Sequence, residues 1–154
     1  MNATQLDLAD DLVIVGIALR TSPESAATDI PAFWQRFLRE DVATRIPAKR
    51  DGSVYAVYCD YESDHRGPYT MVLGVRTPEA AEIPAGMRRV RVPAGKYTSF
   101  VVKGDPAEVV WRTWNHVNTE WTDRHRRRYL ADYERYETNA SASSAEVDVV
   151  VGIV

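Results

Sequence analysis

Glu134 and Tyr136 stand two residues apart in the stretch Arg128-Tyr-Leu-Ala-Asp-Tyr-Glu-Arg-Tyr-Glu137. Tyr129, Tyr133 and Tyr136 favour a pleated strand, and strand side chains alternate between faces. Leu130, Asp132, Glu134 and Tyr136 therefore share one face, and Tyr129, Ala131, Tyr133 and Arg135 share the other. If the first face lines a cavity, a carboxylate among aromatic walls attracts an organic cation. If it meets water, Glu134 is an ordinary surface acid. The strand alone leaves both readings open.

The means to build an aromatic pocket are present, in four Trp and eight Tyr. Val110, Trp114, Val117 and Trp121 recur at helical spacing, so Trp114 and Trp121 read as core. Trp111 is off that stripe by about a quarter turn, which puts it at the edge of the packed face or in solvent. Phe33 and Trp34 pose the same question on an earlier helix, where one ring packs and the other faces a groove. Trp111 at a groove edge would suit a flat ligand.

Other chemistries find little support. His65, His116 and His125 are dispersed without metal-ligand spacing, and Cys59 is the only cysteine, read as a buried inert thiol. There is no Gly-X-Ser-X-Gly elbow and no Gly-rich phosphate loop. Neither a metal nor a cofactor is expected. The run Arg124–Arg128 reads as a solvated helix end, where cations complement the dipole. With a net charge of −3, no global field favours nucleic acid, and no direct nucleic-acid binding is expected. No apolar stretch approaches membrane-spanning length, and Met1–Asp11 lacks a basic region followed by an apolar run. The cytoplasm is the expected compartment.

The elements that must hold these residues follow from the patterning. The 154 residues suit one domain, 1–154. Residues 1–10 read as a loose lead-in and Leu12–Arg20 as a strand apolar on both faces. A helix over 29–41 is expected, capped by Thr28 or Asp29 with Pro31 in its first turn and Ile30, Phe33, Trp34, Phe37 and Leu38 as its stripe. Val54–Tyr61 and Tyr69–Thr77 form a hairpin with a long polar tip. Met87–Val92 and Tyr97–Lys103 are strands. A helix over 105–121 is capped by Asp105, with Pro106 at its first position and Glu108 completing an acidic capping box. The opening strand, a small-residue loop over 140–145 and a last strand from Glu146 complete the chain. Strand, helix, strand, strand thus occurs twice, over about 12–77 and 87–154. The expected fold is α+β: a duplicated strand-helix-strand-strand module, one antiparallel sheet with both helices on one face, and a ligand groove between the halves.

The succession Phe33-Trp-Gln-Arg-Phe37, Tyr55-Ala-Val-Tyr-Cys-Asp-Tyr61 and Gly67-Pro-Tyr-Thr-Met-Val-Leu-Gly-Val75 resembles the GyrI-like small-molecule-binding domains, the bacterial effector-binding domains of AraC-type transcription regulators. Val92-Pro-Ala-Gly-Lys-Tyr97, the Trp-bearing helix, Asp132-Tyr-Glu-Arg-Tyr136 and Glu146-Val-Asp-Val-Val-Val-Gly152 extend the likeness over roughly 12–154. The resemblance implies a groove between two halves, in which a buried acid among aromatics receives cationic or planar drugs. Glu134 and Tyr136 match its Glu-X-Tyr motif. Tyr69, Trp111, Trp114, Phe33 and Trp34 have suitable positions as aromatic walls. Many relatives carry an N-terminal DNA-binding domain; this chain looks like a stand-alone version.

Three functions follow. The first is a binding or sequestering module for small amphipathic molecules, cationic or aromatic, linked to transcription regulation or to drug and toxin resistance. The second is a hydrolase of cyclopropane-bearing toxins, with Glu134 as catalytic residue acting on water. The third is a protein-interaction module such as a gyrase inhibitor.

Overall fold

A computed structural model describes residues 2–137 and 145–154. Eight strands and two α-helices follow in the order β1 (Ala3–Leu8), β2 (Leu12–Thr21), α1 (Pro23–Arg39), β3 (Ser53–Cys59), β4 (Tyr69–Arg76), β5 (Arg88–Val92), β6 (Gly95–Gly104), α2 (Pro106–Thr119), β7 (Ala131–Glu137) and β8 (Ala145–Gly152). The strands form one antiparallel sheet in the order β1-β6-β8-β7-β3-β4-β2-β5. Residues 140–144 of the expected small-residue loop lie outside the described residues.

That strand order is symmetric about the β7–β3 pair. Replacing each element by its counterpart in the other half returns the same sheet. The halves also exchange their first strands: β1 pairs with β6, and β5 pairs with β2. Ala3–Leu8, within the expected loose lead-in over 1–10, is therefore a paired strand. Leu6 and Leu8 pack against the core while the residues between them face out, which is enough to hold an edge strand.

Register assigns the faces. Val15, Ile17, Ala56, Met71, Leu73 and Val75 point to one face and pack under Phe33 and Phe37 of α1. Phe100, Val147, Val149 and Val151 pack under Val117 of α2 and under Trp121. Glu134 lies opposite Ala56 on one neighbouring strand and opposite Val149 on the other, so both sets share its face. Both helices consequently cover the same side. The other side buries Ile14, Tyr55, Val57, Val72, Tyr97, Tyr133 and Val150, and the sheet curls until β5 approaches β7.

Three local readings change. Helix α1 starts at Pro23, with Ser22 in the N-cap position, so Pro31 sits inside it rather than in the first turn. The cost is one backbone hydrogen bond, because proline has no N–H for the carbonyl of Ala27. Asp29 accepts from the Thr21 hydroxyl (2.8 Å) instead of capping. In α2 Asp105 does cap, accepting from the Ala107 N–H, while Glu108 pairs with Arg112 one turn on. Finally, β7 begins at Ala131. Tyr129 has φ of 55° and Leu130 is exposed, so neither takes part in the strand.

Candidate functional site

The central pair of strands brings the acids of β7 to the middle of the helix-covered face. Glu134 is fully buried, at 1% exposure. Its Oε2 accepts from the Tyr58 hydroxyl (2.7 Å) and from the Trp114 indole N–H (2.6 Å), and its Oε1 accepts from the Tyr136 hydroxyl (2.5 Å). Small Ala56, directly opposite Glu134, leaves room for the carboxylate, and Tyr58 reaches it diagonally from the next residue on that face. Each helix contributes one indole. Trp114 of α2 meets Tyr58 edge-on (5.4 Å between centroids), and Trp34 of α1 meets Tyr136 edge-on (4.9 Å). Tyr136 packs against the cores under both helices, which places the cluster on the seam between the halves.

Among the described residues, Glu134 has only neutral donors. Burial pushes its carboxyl above the ordinary glutamate range, against the pull of the three hydrogen bonds. Burial and the adjoining Glu134 likewise hold the Tyr58 and Tyr136 hydroxyls well above the usual tyrosine range, so both stay protonated and donate.

Asp132, two residues back on the same face, is settled differently. It accepts from Arg127 Nη2 (2.9 Å), from the Tyr61 hydroxyl (2.5 Å) and from the Gly152 N–H (2.8 Å). Both side chains of the Arg127–Asp132 pair are buried. The Arg127 guanidinium lies over the rings of Tyr129 (4.4 Å) and Trp114 (5.7 Å). The run Arg124–Arg128 is therefore not simply a solvated helix end, since α2 stops at Thr119 and Arg127 turns inward.

Of the residues expected from sequence, Glu134, Tyr136 and Trp114 meet in direct hydrogen bonds. Trp34 packs edge-on against Tyr136, and Tyr69 packs edge-on against Tyr58 at 5.7 Å. Phe33 lies in the core beneath α1, and Trp111 is 69% exposed. The structure brings neither of these two to the carboxylate. Tyr58, Tyr61 and Arg127 also join the site. Alternation along β7 puts Asp132 on the face of Glu134, whereas Tyr58 is placed there only by the β3–β7 pairing. Among the described residues, no three His, Cys, Asp or Glu side chains converge as a metal ligand set. No described helix is long and apolar enough to cross a membrane.

A family profile described as integron-associated effector binding protein matches residues 6–153. YobU of Bacillus subtilis (strain 168), whose name marks it as a candidate transcriptional regulator, is 31% identical over 156 residues, covering 97% of this chain and 95% of that protein. The integron cassette protein VCH_CASS2, from the mobile metagenome of Vibrio cholerae, is 25% identical with a TM-score of 0.69, over 98% of this chain and 95% of that one. SAV2435, solved bound to tetraphenylphosphonium, has a TM-score of 0.80 at 20% identity, over 99% of this chain and 94% of that one. At that identity the likeness is one of fold.

Proposed function

The chain belongs to the family of integron-associated effector binding proteins, and from that premise we propose that it binds small amphipathic molecules, cationic or planar and aromatic, around Glu134. It would act as an effector-binding or sequestering protein linked to transcription regulation or to drug and toxin resistance. The contrast between Asp132 and Glu134 carries this reading. Two acids sit on one buried face; Asp132 has its cation in Arg127, and Glu134 has none among the described residues. A desolvated carboxylate without a counter-ion is costly, and an incoming cation offsets that cost. The rings of Tyr58, Trp114, Tyr136, Tyr69 and Trp34 supply faces and edges for the ligand's apolar parts. All three donors are half-buried, so the carboxylate lies one side chain beneath the surface. That a protein of the same fold was solved with tetraphenylphosphonium, a cation wrapped in four rings, agrees with this chemistry.

The test is titration of wild type and Glu134→Gln with tetraphenylphosphonium and with neutral triphenylphosphine oxide. The variant is expected to bind the cation at least about tenfold more weakly, a loss of roughly 1.4 kcal/mol, with the neutral compound unchanged. Equal affinity of both proteins for the cation would return Glu134 to a structural role.

A further inference from the structure

The long tip between β3 and β4 meets the turn after α2 over a cleft of about 460 Å³. His65 and Arg66 line it from the tip, Asn118 from the end of α2, Arg124 and His125 from the turn, and Tyr129 from the approach to β7. Four of these are basic residue types, and no lining residue is acidic. Arg66 is tied to Asp64 at 2.6 Å. Arg124 has no carboxylate partner among the described residues; its Nη1 donates to the Trp121 carbonyl at 2.8 Å. Arg127 Nη1 donates to Asn118 Oδ1 at 2.6 Å, which leaves the amide Nδ2, a donor, for the cleft. Burial, reinforced by the charges of Arg127 and Arg66, holds the His65 ring below its ordinary range. On a chain of net charge −3, Arg124 is thus the arginine of this cleft that has no carboxylate partner among the described residues, and the neutral His65 ring and the Asn118 amide add N–H donors beside it.

The cleft adjoins the Glu134 cluster. Tyr129, in its wall, lies 5.5 Å from Tyr61, and Tyr61 lies 6.2 Å from Tyr69. More directly, the Arg127 guanidinium contacts the faces of both Tyr129 and Trp114, and Trp114 donates to Glu134. The Glu134 carboxyl and the cleft that holds Arg124 are thus separated by one guanidinium held between two rings.

We propose that this cleft is the anion-accepting end of the same binding site, so that the preferred effector is an amphoteric aromatic molecule. Its cationic centre lies toward Glu134, and its carboxylate or phosphate lies among His65, Arg66 and Arg124. The proposal rests on the reading of Glu134 as the seat of the cation. It adds a second charge requirement that a simple lipophilic cation does not meet.

The experiment uses two probes that differ in one group: a rhodamine with a free carboxylate and its methyl ester. Each is titrated against wild type, Arg124→Gln, Arg124→Lys and Glu134→Gln, with fluorescence anisotropy as the readout. Wild type should bind the acid at least about fivefold more tightly than the ester. Arg124→Gln should abolish that preference without weakening the ester, and Arg124→Lys should restore most of it. Glu134→Gln should weaken both dyes. In parallel, inorganic phosphate should shift the His65 and His125 ring resonances of wild type and not those of Arg124→Gln. Equal binding of acid and ester to wild type overturns the cleft's role, as does an equal loss for both dyes in Arg124→Gln. So does phosphate that leaves both histidines unmoved. If instead Glu134→Gln binds both dyes as wild type does, the Glu134 reading fails and the shared site fails with it, whatever the histidines report.

Discussion

The indole Nε1 of Trp114 lies 2.6 Å from Oε2 of Glu134, so helix α2 is fastened to the centre of the sheet through a buried carboxylate. Hydrogen bonds to a charged group contribute about 1.5–3 kcal/mol net. Trp114→Phe keeps a ring against Tyr58 and removes the donor. Stability at pH 8, where Glu134 is most ionised, should fall by about that amount, with a smaller loss at pH 5. Urea unfolding at the two pH values checks it. A loss that does not change with pH would mean that the indole acts through packing alone.

The Arg127–Asp132 pair should be the least replaceable polar contact in the molecule. Removing one partner of a buried ion pair costs about 3–5 kcal/mol, because the other charge is left desolvated and unpaired. Asp132→Asn keeps the shape and removes the charge that Arg127 faces at 2.9 Å. Denaturant midpoints should drop accordingly, whereas the matching change at the solvent-screened pair Arg66–Asp64 should leave them almost unmoved.

How far the sequence could be read is clear from particular residues. Glu134 and Tyr136 were legible because alternation along one strand is a local property. The helix stripe marks Trp114 only as core; its place as an aromatic wall follows from the family resemblance, and its hydrogen bond to Glu134 from neither. Tyr58 was not, because its place beside Glu134 depends on pairing between strands more than seventy residues apart in the chain. Strand β1 escaped because only Leu6 and Leu8 mark its inner face and its partner belongs to the other half. The start of α1 was misplaced because Thr28, Asp29 and Pro31 form a good start signal inside a longer helix. Tertiary packing of Phe33 and Phe37 outweighs the interior proline. Arg127 reads as solvated in a basic run until Asp132 is seen to receive it.

Gly16 and Gly74 face each other across β2 and β4. A Cβ at Gly16 would lie 1.9 Å from the Leu73 carbonyl oxygen, and one at Gly74 would lie 2.0 Å from that of Val15. No side-chain rotation relieves a clash with backbone, so the strands must part. Gly16→Ala or Gly74→Ala should therefore cost about 1–3 kcal/mol or more, as overpacking does. Thermal melts of the two variants test this; unchanged melting temperatures would show that the strand pair spreads freely.

Trp111 separates stability from recognition. It is 69% exposed on α2, while Trp114 on the same helix is half-buried. Trp111→Ala should change stability by no more than about 0.5 kcal/mol, as surface substitutions do. If Trp111 also lends its ring to a flat ligand, the same change should weaken dye binding severalfold. A variant with wild-type affinity would remove Trp111 from the binding surface and leave recognition to the rings around Glu134.

Glu134 should also leave a mark on the pH dependence of stability. Burial raises its folded pKa above the 4.5 of a free glutamate. The folded chain therefore holds this proton more tightly than the unfolded chain does, and folding is favoured where the group is protonated. The contribution is fully present below pH 4.5 and is lost as pH rises through the folded value. Gln fits the same contacts: its oxygen can accept from Tyr58 and Trp114, and its amide can donate to a rotated Tyr136 hydroxyl. Glu134→Gln should accordingly match wild type near pH 4.5 and become progressively more stable than it toward pH 8. Taking the difference between the two proteins cancels every other titrating group. A bound cation reverses the sign, because it favours the ionised carboxylate and lowers the pKa. Binding of tetraphenylphosphonium should then strengthen as pH rises and release protons, which calorimetry in buffers of different ionisation enthalpy measures directly. A stability difference independent of pH, together with binding that releases no proton, would mean that Glu134 is ionised in both states and that its burial is fully offset by Tyr58, Trp114 and Tyr136.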